Sequence, residues 1–216
     1  MSKKALLWVT SALCLLPILF SAAVYSSLPE QIAIHWNHAG LPDNYAHKAV
    51  AAFGLPVLFL AITLFSKIRL LNDPKGERQS RVIRQMSIWL IPALSVVLVP
   101  VTLAIAMGVN IPIALVGTLL VGILLVVLGN YLPKSKQNYT IGIKLPWTLH
   151  NSDNWNKTHR LAGYLWTAGG LVLIGCNFLL PNAAIQFSIT GFILAMLILV
   201  PIFYSYRQYA RLKKGR

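Results

Sequence analysis

Long apolar runs alternate with short polar connections along this chain. Six of the runs approach or exceed the roughly 20 residues that a helix needs to cross about 30 Å of hydrocarbon. They cover Ala5–Tyr25, Ala49–Ser66, Met86–Met107, Ile111–Leu132, Leu161–Leu180 and Ile185–Tyr206. The pattern predicts an all-α fold: a polytopic membrane helix bundle of about six transmembrane helices, forming a single membrane domain over residues 1–216.

Two of the five connections are long enough to carry a site. The first loop covers residues 26–48, and the fourth loop covers residues 133–160. The second connection, residues 67–85, is short and charged, and tight turns near Gly108–Asn110 and Pro181–Ala184 complete the set. An odd number of spans separates the two long loops, so they are predicted to lie on opposite faces of the membrane.

The basic residues orient the bundle. The net charge is +14, and 18 of the 19 Lys and Arg residues lie in the two terminal segments, the second connection and the fourth loop, with Lys48 as the exception. Loops rich in Lys and Arg stay in the cytoplasm. Both termini and the fourth loop are therefore predicted to be cytoplasmic and the first loop to be outside. The charge needs no nucleic-acid partner to explain it.

An alternative for the first run is a cleaved signal peptide. Lys3 and Lys4 precede the apolar stretch Leu6–Phe20, and small residues follow at Ser21–Ala23, which is the order found in secretory signals. Cleavage would leave five spans and the same orientation for the remainder. The apolar stretch is longer than most signal sequences contain, which favours a membrane span.

The predicted spans contain no Asp, Glu, Lys, Arg or His. Coupled transport and intramembrane proteolysis usually place such groups at mid-bilayer. Prolines do occur in the spans, at Pro17, Pro56, Pro92, Pro100 and Pro201. They admit two interpretations: helices broken around a transport cavity, or kinks satisfied by neighbouring helices. Any chemistry is therefore expected in the two long loops.

The first loop concentrates titratable residues, with three of the five histidines and two of the five acidic residues. Ile32, Ile34 and Trp36 alternate with more polar or smaller residues, and this period of two predicts a short extended segment on the membrane surface. Gly40 and Asp43 are turn residues. Gly40 is expected to take a positive φ, and Asp43 is expected to bond nearby backbone amides.

A zinc site is an alternative for this loop. His35, His38 and His47, with Glu30 or Asp43, offer imidazole and carboxylate ligands. His35 and His38 would converge only in a helix, and neither an HExxH motif nor a cysteine pair accompanies them. Hydrogen-bonding histidines at the membrane surface are the simpler interpretation, so no metal and no cofactor is predicted.

The first loop also carries a family resemblance. The pattern LPxxIxxHWNxxGxPD, followed by a Lys and an apolar helix, resembles the membrane domain of the SdpI immunity family of bacterial multi-span proteins. The resemblance implies a role for the loop in binding a toxin or organising its own shape, through His35, Trp36, Asn37, Gly40, Asp43 and Lys48.

The fourth loop supplies a second match. The segment Asn138–Trp166 is similar to the family's other motif, which contains an Asn, a Gly-Ile-Arg/Lys, a Thr, a Trp and a His or Asn. The matched and neighbouring positions are Asn138, Gly142, Lys144, Trp147, Thr148, Trp155, His159 and Arg160. Lys144 stands where Arg is more frequent in the family, and an ammonium lacks the bidentate fork of a guanidinium.

A helix is predicted at the end of the fourth loop, capped by Ser152 or Asp153. At 100° per residue, Trp155, His159 and Trp166 lie on one stripe that enters the bilayer. Lys157 and Arg160 flank this stripe, where a phospholipid headgroup or an acidic partner is expected to dock.

The resemblance implies an immunity protein of the bacterial cell membrane. Its expected partners are the lipid bilayer, a secreted peptide toxin and a cytoplasmic transcriptional repressor. No catalytic residues are predicted, because neither loop contains an acid/base pair, an activated nucleophile or a phosphate-binding motif. The alternatives are a transporter or exporter of a small or lipidic compound, and a zinc-dependent membrane enzyme.

Overall fold

The computed structural model describes residues 3–75, 81–180 and 182–214. Residues 76–80 of the predicted second connection, Pro181 of the predicted last turn and both chain ends lie outside the described residues. Within them the chain is mostly helical, with one short β-hairpin. The helices are α1 (Lys3–Leu15), α2 (Pro17–Val24), α3 (Leu55–Leu71), α4 (Arg81–Ala106), α5 (Ile113–Tyr131), α6 (Pro146–His150), α7 (Ser152–Leu179) and α8 (Ala183–Lys214).

Six helical segments in the described residues are long and apolar enough to cross a membrane. They are Ala5–Ser27, Val50–Leu71, Ile83–Ala106, Ile113–Lys134, Ser152–Leu179 and Ala183–Lys213. Large apolar side chains such as Leu19, Phe65, Phe178 and Phe203 are exposed on them, as expected of surfaces that face lipid. The prediction of a helical, six-span membrane protein is confirmed.

Two of the predicted boundaries are wrong by eight residues or more. The fifth span was placed at Leu161, whereas α7 begins at Ser152. The sixth was ended at Tyr206, whereas α8 continues to Lys214. Both helices extend the apolar segment with polar and charged turns, which a hydropathy criterion assigns to loops.

The prolines of the predicted spans rarely interrupt helices. Pro92 and Pro100 lie inside the continuous α4, and Pro201 lies inside the continuous α8. Pro56 is the second residue of α3 and follows a single π-helical turn, Val50–Gly54. Pro17 marks the break between α1 and α2. Three of the five prolines therefore lie inside helices that remain continuous.

The chain divides into two compact units. The first comprises residues 1–71 and 84–112, and the second comprises residues 72–83 and 113–216. In the first unit, small polar side chains join α1 to α3 and α4, and join α2 to the π-helical turn. Cys14 Sγ lies 3.2 Å from Thr63 Oγ1, Ser95 Oγ donates to the carbonyl of Cys14 at 2.9 Å, and Ser21 Oγ donates to the carbonyl of Ala52 at 2.8 Å. Such bonds hold apolar helices in a fixed register.

In the second unit, glycines bring α5 and α7 into close contact. A Cβ on Gly129 would lie 2.9 Å from the carbonyl oxygen of Gly163, and a Cβ on Gly170 would lie 2.5 Å from that of Gly122. Each helix thus contributes two glycines seven residues apart. This spacing is visible in the sequence.

Candidate functional site

The first loop folds as a β-hairpin in the first unit. Strand β1 (Gln31–Trp36) pairs antiparallel with strand β2 (Pro42–His47), so the predicted extended segment is confirmed. Gly40 has φ 76°, as predicted for its turn position. The side chain of Asn37 organises this turn, because its Oδ1 accepts from the amides of Ala39 at 2.9 Å and Leu41 at 3.1 Å.

Two irregularities bend the hairpin near its tip. Pairing moves from Ala33↔Tyr45 to His35↔Asn44 and then to Trp36↔Pro42. One residue is therefore extra on each strand, Ile34 on β1 and Asp43 on β2. Bulges of this kind redirect side chains and increase the local twist. The strict alternation predicted for Ile32, Ile34 and Trp36 does not persist, since Ile32 is buried whereas Ile34 is exposed.

Asp43 contacts a side chain rather than the predicted backbone amides. His35 Nδ1 donates to Asp43 Oδ1 at 2.6 Å. The two side chains are 67% and 40% exposed, so their bond links the two strands at the surface while leaving both groups accessible. The backbone amides of this turn donate to Asn37 instead.

The base of the hairpin is held by charge and by packing. Lys48 Nζ lies 2.8 Å from Glu30 Oε1, and His47 Nε2 donates to Glu30 Oε2 at 3.2 Å. Beneath them, Leu28 and Ile32 pack in a core with residues of the π-helical turn and α4: Ala51, Ala52, Val99 and Leu103. Burial of Ile32 contributes about 2 kcal/mol, which anchors a hairpin that would be only marginally stable alone.

The ion pair between Glu30 and Lys48 is predicted to stabilise the base of the hairpin across the neutral pH range. The hydrogen bond and charge of Lys48 hold the pKa of Glu30 below its ordinary value of 4.5, and the hydrogen bond to Glu30 raises the pKa of Lys48 above its ordinary value of 10.5. The Glu30 contribution is present above pH 4.5 and is lost as the pH falls through the lowered pKa. The Lys48 contribution is present below pH 10.5 and is lost as the pH rises through the raised pKa.

We therefore expect the hairpin base to loosen in acid because Glu30 becomes protonated. Amide exchange of the peptide covering residues 28–48, corrected for intrinsic rates, should accelerate below pH 4.5. A Glu30→Gln variant should show faster exchange already at pH 7 and little further acid response. Equal acid responses in wild type and variant would contradict the assignment to Glu30.

The histidines of the hairpin do not form one cluster. His35 bonds Asp43 near the tip, and His47 bonds Glu30 at the base. No group of three or more His, Cys, Asp or Glu side chains able to hold a metal occurs within the described ranges. The zinc alternative therefore has no ligand set in this part of the chain.

The fourth loop is organised in the second unit by buried polar side chains. The Asn138 amide makes four bonds: Nδ2 donates to the carbonyls of Lys136 and Ile141, and Oδ1 accepts from the amides of Thr140 and Ile141. These bonds, at 2.6 to 2.9 Å, satisfy all the hydrogen-bonding capacity of a primary amide. Asn138 thus fixes the turn that leads to Gly142.

His159 closes the loop onto α7. Its Nε2 accepts from the amide of Ile143 at 2.9 Å, and its Nδ1 donates to the carbonyl of Trp155 at 2.8 Å. Since one nitrogen must accept and the other must donate, the ring is the neutral Nδ1–H tautomer. Both His159 and Trp155 are fully buried, and their rings stack with centroids 3.9 Å apart.

Gly142 makes this closure sterically feasible. Its φ is 115°, and a Cβ there would lie 2.4 Å from His159 Nε2 and 3.1 Å from the Trp155 ring. A glycine is required on both counts, because L side chains rarely adopt this φ and because no space exists for one.

One further motif residue ties the loop to α8, and another bonds within the loop. Trp147 Nε1 donates to Ser205 Oγ at 2.9 Å, and its ring stacks against Tyr209 at 6.0 Å. Thr148 is buried, and its Oγ1 accepts from the amide of Leu145 at 2.9 Å. Asn154, which the sequence motifs did not include, donates from Nδ2 to the carbonyl of Ser205 at 2.9 Å.

Asp73 is a second residue that the sequence analysis missed. Its Oδ2 accepts from the amide of Tyr139 at 3.0 Å and from Thr140 Oγ1 at 2.6 Å. Lys75 adds a cation–π contact, with Nζ 4.9 Å from the centroid of the Tyr139 ring. The described start of the second connection therefore docks on the fourth loop. One Asp in a charged connection gives no sequence signal of this long-range contact.

Comparisons with known proteins cover both loops. The model of the SdpI/YfhL protein family matches residues 134–205, and the model of a domain of unknown function, DUF1648, matches residues 12–60. The Immunity protein SdpI of Bacillus subtilis (strain 168) is 28% identical over 202 residues, which are 93% of this chain and 94% of that protein. The chain is thus similar to the SdpI/YfhL family over residues 134–205 and to one curated immunity protein over most of its length. No solved structure matches.

Similarity to the SdpI immunity protein, together with the six apolar helices, supports a multi-pass protein of the cell membrane and an immunity-protein role. Because the shared region covers nearly the full length of both chains, the resemblance includes the two loops. The family resemblance predicted from the loop motifs is confirmed.

Most residues of the second SdpI-family motif are internal to the second unit. Asn138, Thr148, Trp155 and His159 are buried, and Gly142 is packed against two of them. The predicted cap is wrong, because Asn151 Oδ1 rather than Ser152 or Asp153 accepts from the amide of Asn154, at 2.8 Å. The stripe predicted to enter the bilayer instead packs Trp155 and His159 against the loop.

Exposed basic residues lie in and beside this motif. Lys157 pairs with Asp153 at 2.8 Å, and Lys144 Nζ donates to the carbonyl of Thr140 at 3.1 Å. Arg160 is exposed and forms no ion pair with any residue the structure describes. The SdpI-family loop thus presents cations on a rigid, internally bonded frame.

Proposed function

We propose that this protein protects its cell against a secreted antimicrobial peptide by binding the peptide at the hairpin of the first loop. The observation that carries the proposal is the His35–Asp43 bond. It lies at two opposed bulges near the tip of the hairpin, and both side chains remain accessible. A passive connector has no need for such an arrangement.

The exposed surface of the hairpin suits an amphipathic peptide. Leu41 and Tyr45 are 62% and 52% exposed and supply apolar area, and His35 with Asp43 supplies polar contacts beside it. With the first loop outside, as the distribution of Lys and Arg predicts, a secreted peptide reaches this surface without crossing the membrane.

A second step relays peptide binding to a cytoplasmic transcriptional repressor. The support is electrostatic. Lys144 and Arg160 are exposed cations on the frame of the fourth loop, and Lys157 beside them is neutralised by Asp153. An acidic surface of a repressor is complementary to these cations, and Arg160 is expected to contribute most because its guanidinium has no carboxylate partner among the described residues.

Survival of peptide-sensitive bacteria tests the first step. Cells expressing the wild type should survive at least one purified peptide from a panel of secreted antimicrobial peptides. The His35→Ala and Asp43→Ala variants, at matched membrane abundance, should lose about tenfold or more in the protective dose, because each removes the link between the bulged strands. Loss of protection should be similar for the two, since the two side chains act through one bond.

His38→Ala is the matched control. His38 is exposed on the same hairpin and has no hydrogen-bond or ion-pair partner among the described residues, so its loss should leave protection unchanged. Failure of the correctly inserted wild type to protect against any peptide would overturn the proposed function. In the same strains, a peptide-induced change in transcription that survives Arg160→Gln would overturn the relay through Arg160.

A further inference from the structure

The hairpin has open edges. In the part of the chain that the structure describes, β1 and β2 form the entire sheet. Each strand therefore uses one side for the other strand and leaves its second side without a strand. Backbone donors and acceptors on an open edge form a template for another extended chain.

The hydrogen-bond register shows which groups point outward. The amide of Lys48 donates to the carbonyl of Glu30 at 2.9 Å, so Glu30 and Lys48 form a hydrogen-bonded pair. Such pairs alternate along an antiparallel ladder. Ile32 and Ala46 are consequently the next hydrogen-bonded pair, and Ala46 directs its N–H and C=O toward β1.

The intervening positions face the other way. Ala33↔Tyr45 and Gln31↔His47 are paired in the register but are not hydrogen-bonded pairs, so their backbone N–H groups point away from the partner strand. On β2 these are the amides of Tyr45 and His47. Their spacing of two residues matches the repeat of an added strand.

The edge of β2 is the more accessible of the two. Every residue of β2 except Ala46 is exposed, whereas β1 contains the buried Ile32. Pro42 and the bulge at Asp43 end the edge on the turn side, since proline has no N–H and a bulge interrupts pairing. The open stretch is therefore the short segment from Asn44 to His47.

We propose that an apolar peptide in extended conformation binds by adding a strand to this β2 edge. Backbone hydrogen bonds provide the affinity. The exposed Tyr45 ring and the exposed Leu41 side chain provide an apolar surface beside them. The inference rests on the proposed function and specifies its binding mode: the peptide toxin is recognised through its backbone at β2, with side chains selecting among apolar sequences.

Amide exchange at single residues tests the mode. The full-length protein, isotope-labelled at tyrosine and alanine, is placed in lipid nanodiscs and mixed with the purified panel peptide that gives the strongest survival. The Tyr45 amide should exchange at least about tenfold more slowly with peptide than without it. The Ala46 amide, already bonded to β1, is the internal control and should change little.

Proline substitution gives an independent readout. Tyr45→Pro removes the outward N–H without touching the ladder to β1, and it should weaken peptide binding on the order of tenfold. Tyr45→Ala keeps the amide, so a smaller loss is expected. Slow exchange of the Ala46 amide in the proline variant itself reports that the ladder to β1 is intact, so that a loss of binding does not come from misfolding.

Two failures can be told apart. A peptide that binds and protects while the Tyr45 amide exchanges as in the free protein would overturn strand addition at β2 and leave the proposed immunity function standing. A panel in which no peptide binds or protects would overturn the proposed function and this inference with it.

Discussion

Replacement of Trp155 by Ala is expected to destabilise the protein by about 3 to 5 kcal/mol, the range for removing a buried aromatic side chain. Trp155 is fully buried, stacks on His159 with centroids 3.9 Å apart, and donates from Nε1 to the carbonyl of Ser135 at 2.8 Å. The variant loses the packing, the stack and the hydrogen bond together. Thermal unfolding of the detergent-solubilised protein measures the effect.

Trp8→Ala is the matched control for this substitution. Trp8 is 73% exposed on α1, so its removal should change stability by no more than about 0.5 kcal/mol. If Trp155→Ala does not accumulate, Trp155→Phe retains a ring and should cost about 1 to 3 kcal/mol, mostly for the lost hydrogen bond of the indole. A Trp155→Ala variant that unfolds at the same temperature as the wild type would contradict the role assigned to this side chain.

Replacement of Gly142 by Ala should be nearly as damaging. The new Cβ would occupy space 2.4 Å from His159 Nε2, and the residue would have to keep φ 115°. We expect a loss of about 2 to 4 kcal/mol from backbone strain and overpacking together. The lowered midpoint of thermal unfolding should be accompanied by faster exchange of the Ile143 amide, because His159 would be displaced from it.

Gly117→Ala separates a local effect from a general intolerance of alanine. Gly117 lies inside α5, and a Cβ there meets nothing within 4 Å. Alanine favours helix over glycine by about 1 kcal/mol, so this variant should be neutral or slightly more stable. If Gly142→Ala had the same midpoint of thermal unfolding as Gly117→Ala, the fourth loop would have to adapt to the added methyl group. The conclusion that the loop is held in one conformation over His159 would then be wrong.

The internal bonding of the fourth loop explains the composition of its motif. Asn138, Thr148 and His159 form hydrogen bonds with nearby backbone groups, and Gly142 has no side chain that would displace His159. Residues of this kind stabilise a shape rather than contact a partner. Variants at these positions are therefore expected to impair both immunity and relay, whereas variants at Arg160 should impair the relay alone.

Polar contacts between membrane helices show a limit of the sequence analysis. The predicted spans contain no ionisable residue, yet Thr118 and Asn177 join α5 to α7 at 2.5 Å, and Gln186 is buried at the start of α8. Uncharged amides and hydroxyls are common enough in membrane helices that a single sequence does not distinguish those facing a neighbour from those facing a headgroup.

Some features of this protein were determined by the sequence alone. Apolar length decided the six spans, because a membrane helix must satisfy its backbone internally and cover about 30 Å of hydrocarbon. Alternation and turn residues decided the hairpin, since Gly40 and its neighbours favour a reversal of the chain. The two loop motifs predicted the resemblance to the SdpI family.

Tertiary structure alone decided which motif residues are structural and which are accessible. His35 and His159 look alike in sequence, yet one bonds Asp43 at the surface and the other is locked, neutral and buried, between Trp155 and Ile143. The start of α7 at Ser152 was likewise decided by the tertiary structure. Burial and hydrogen bonding depend on segments that are distant in sequence, and hydropathy sums only neighbours along the chain.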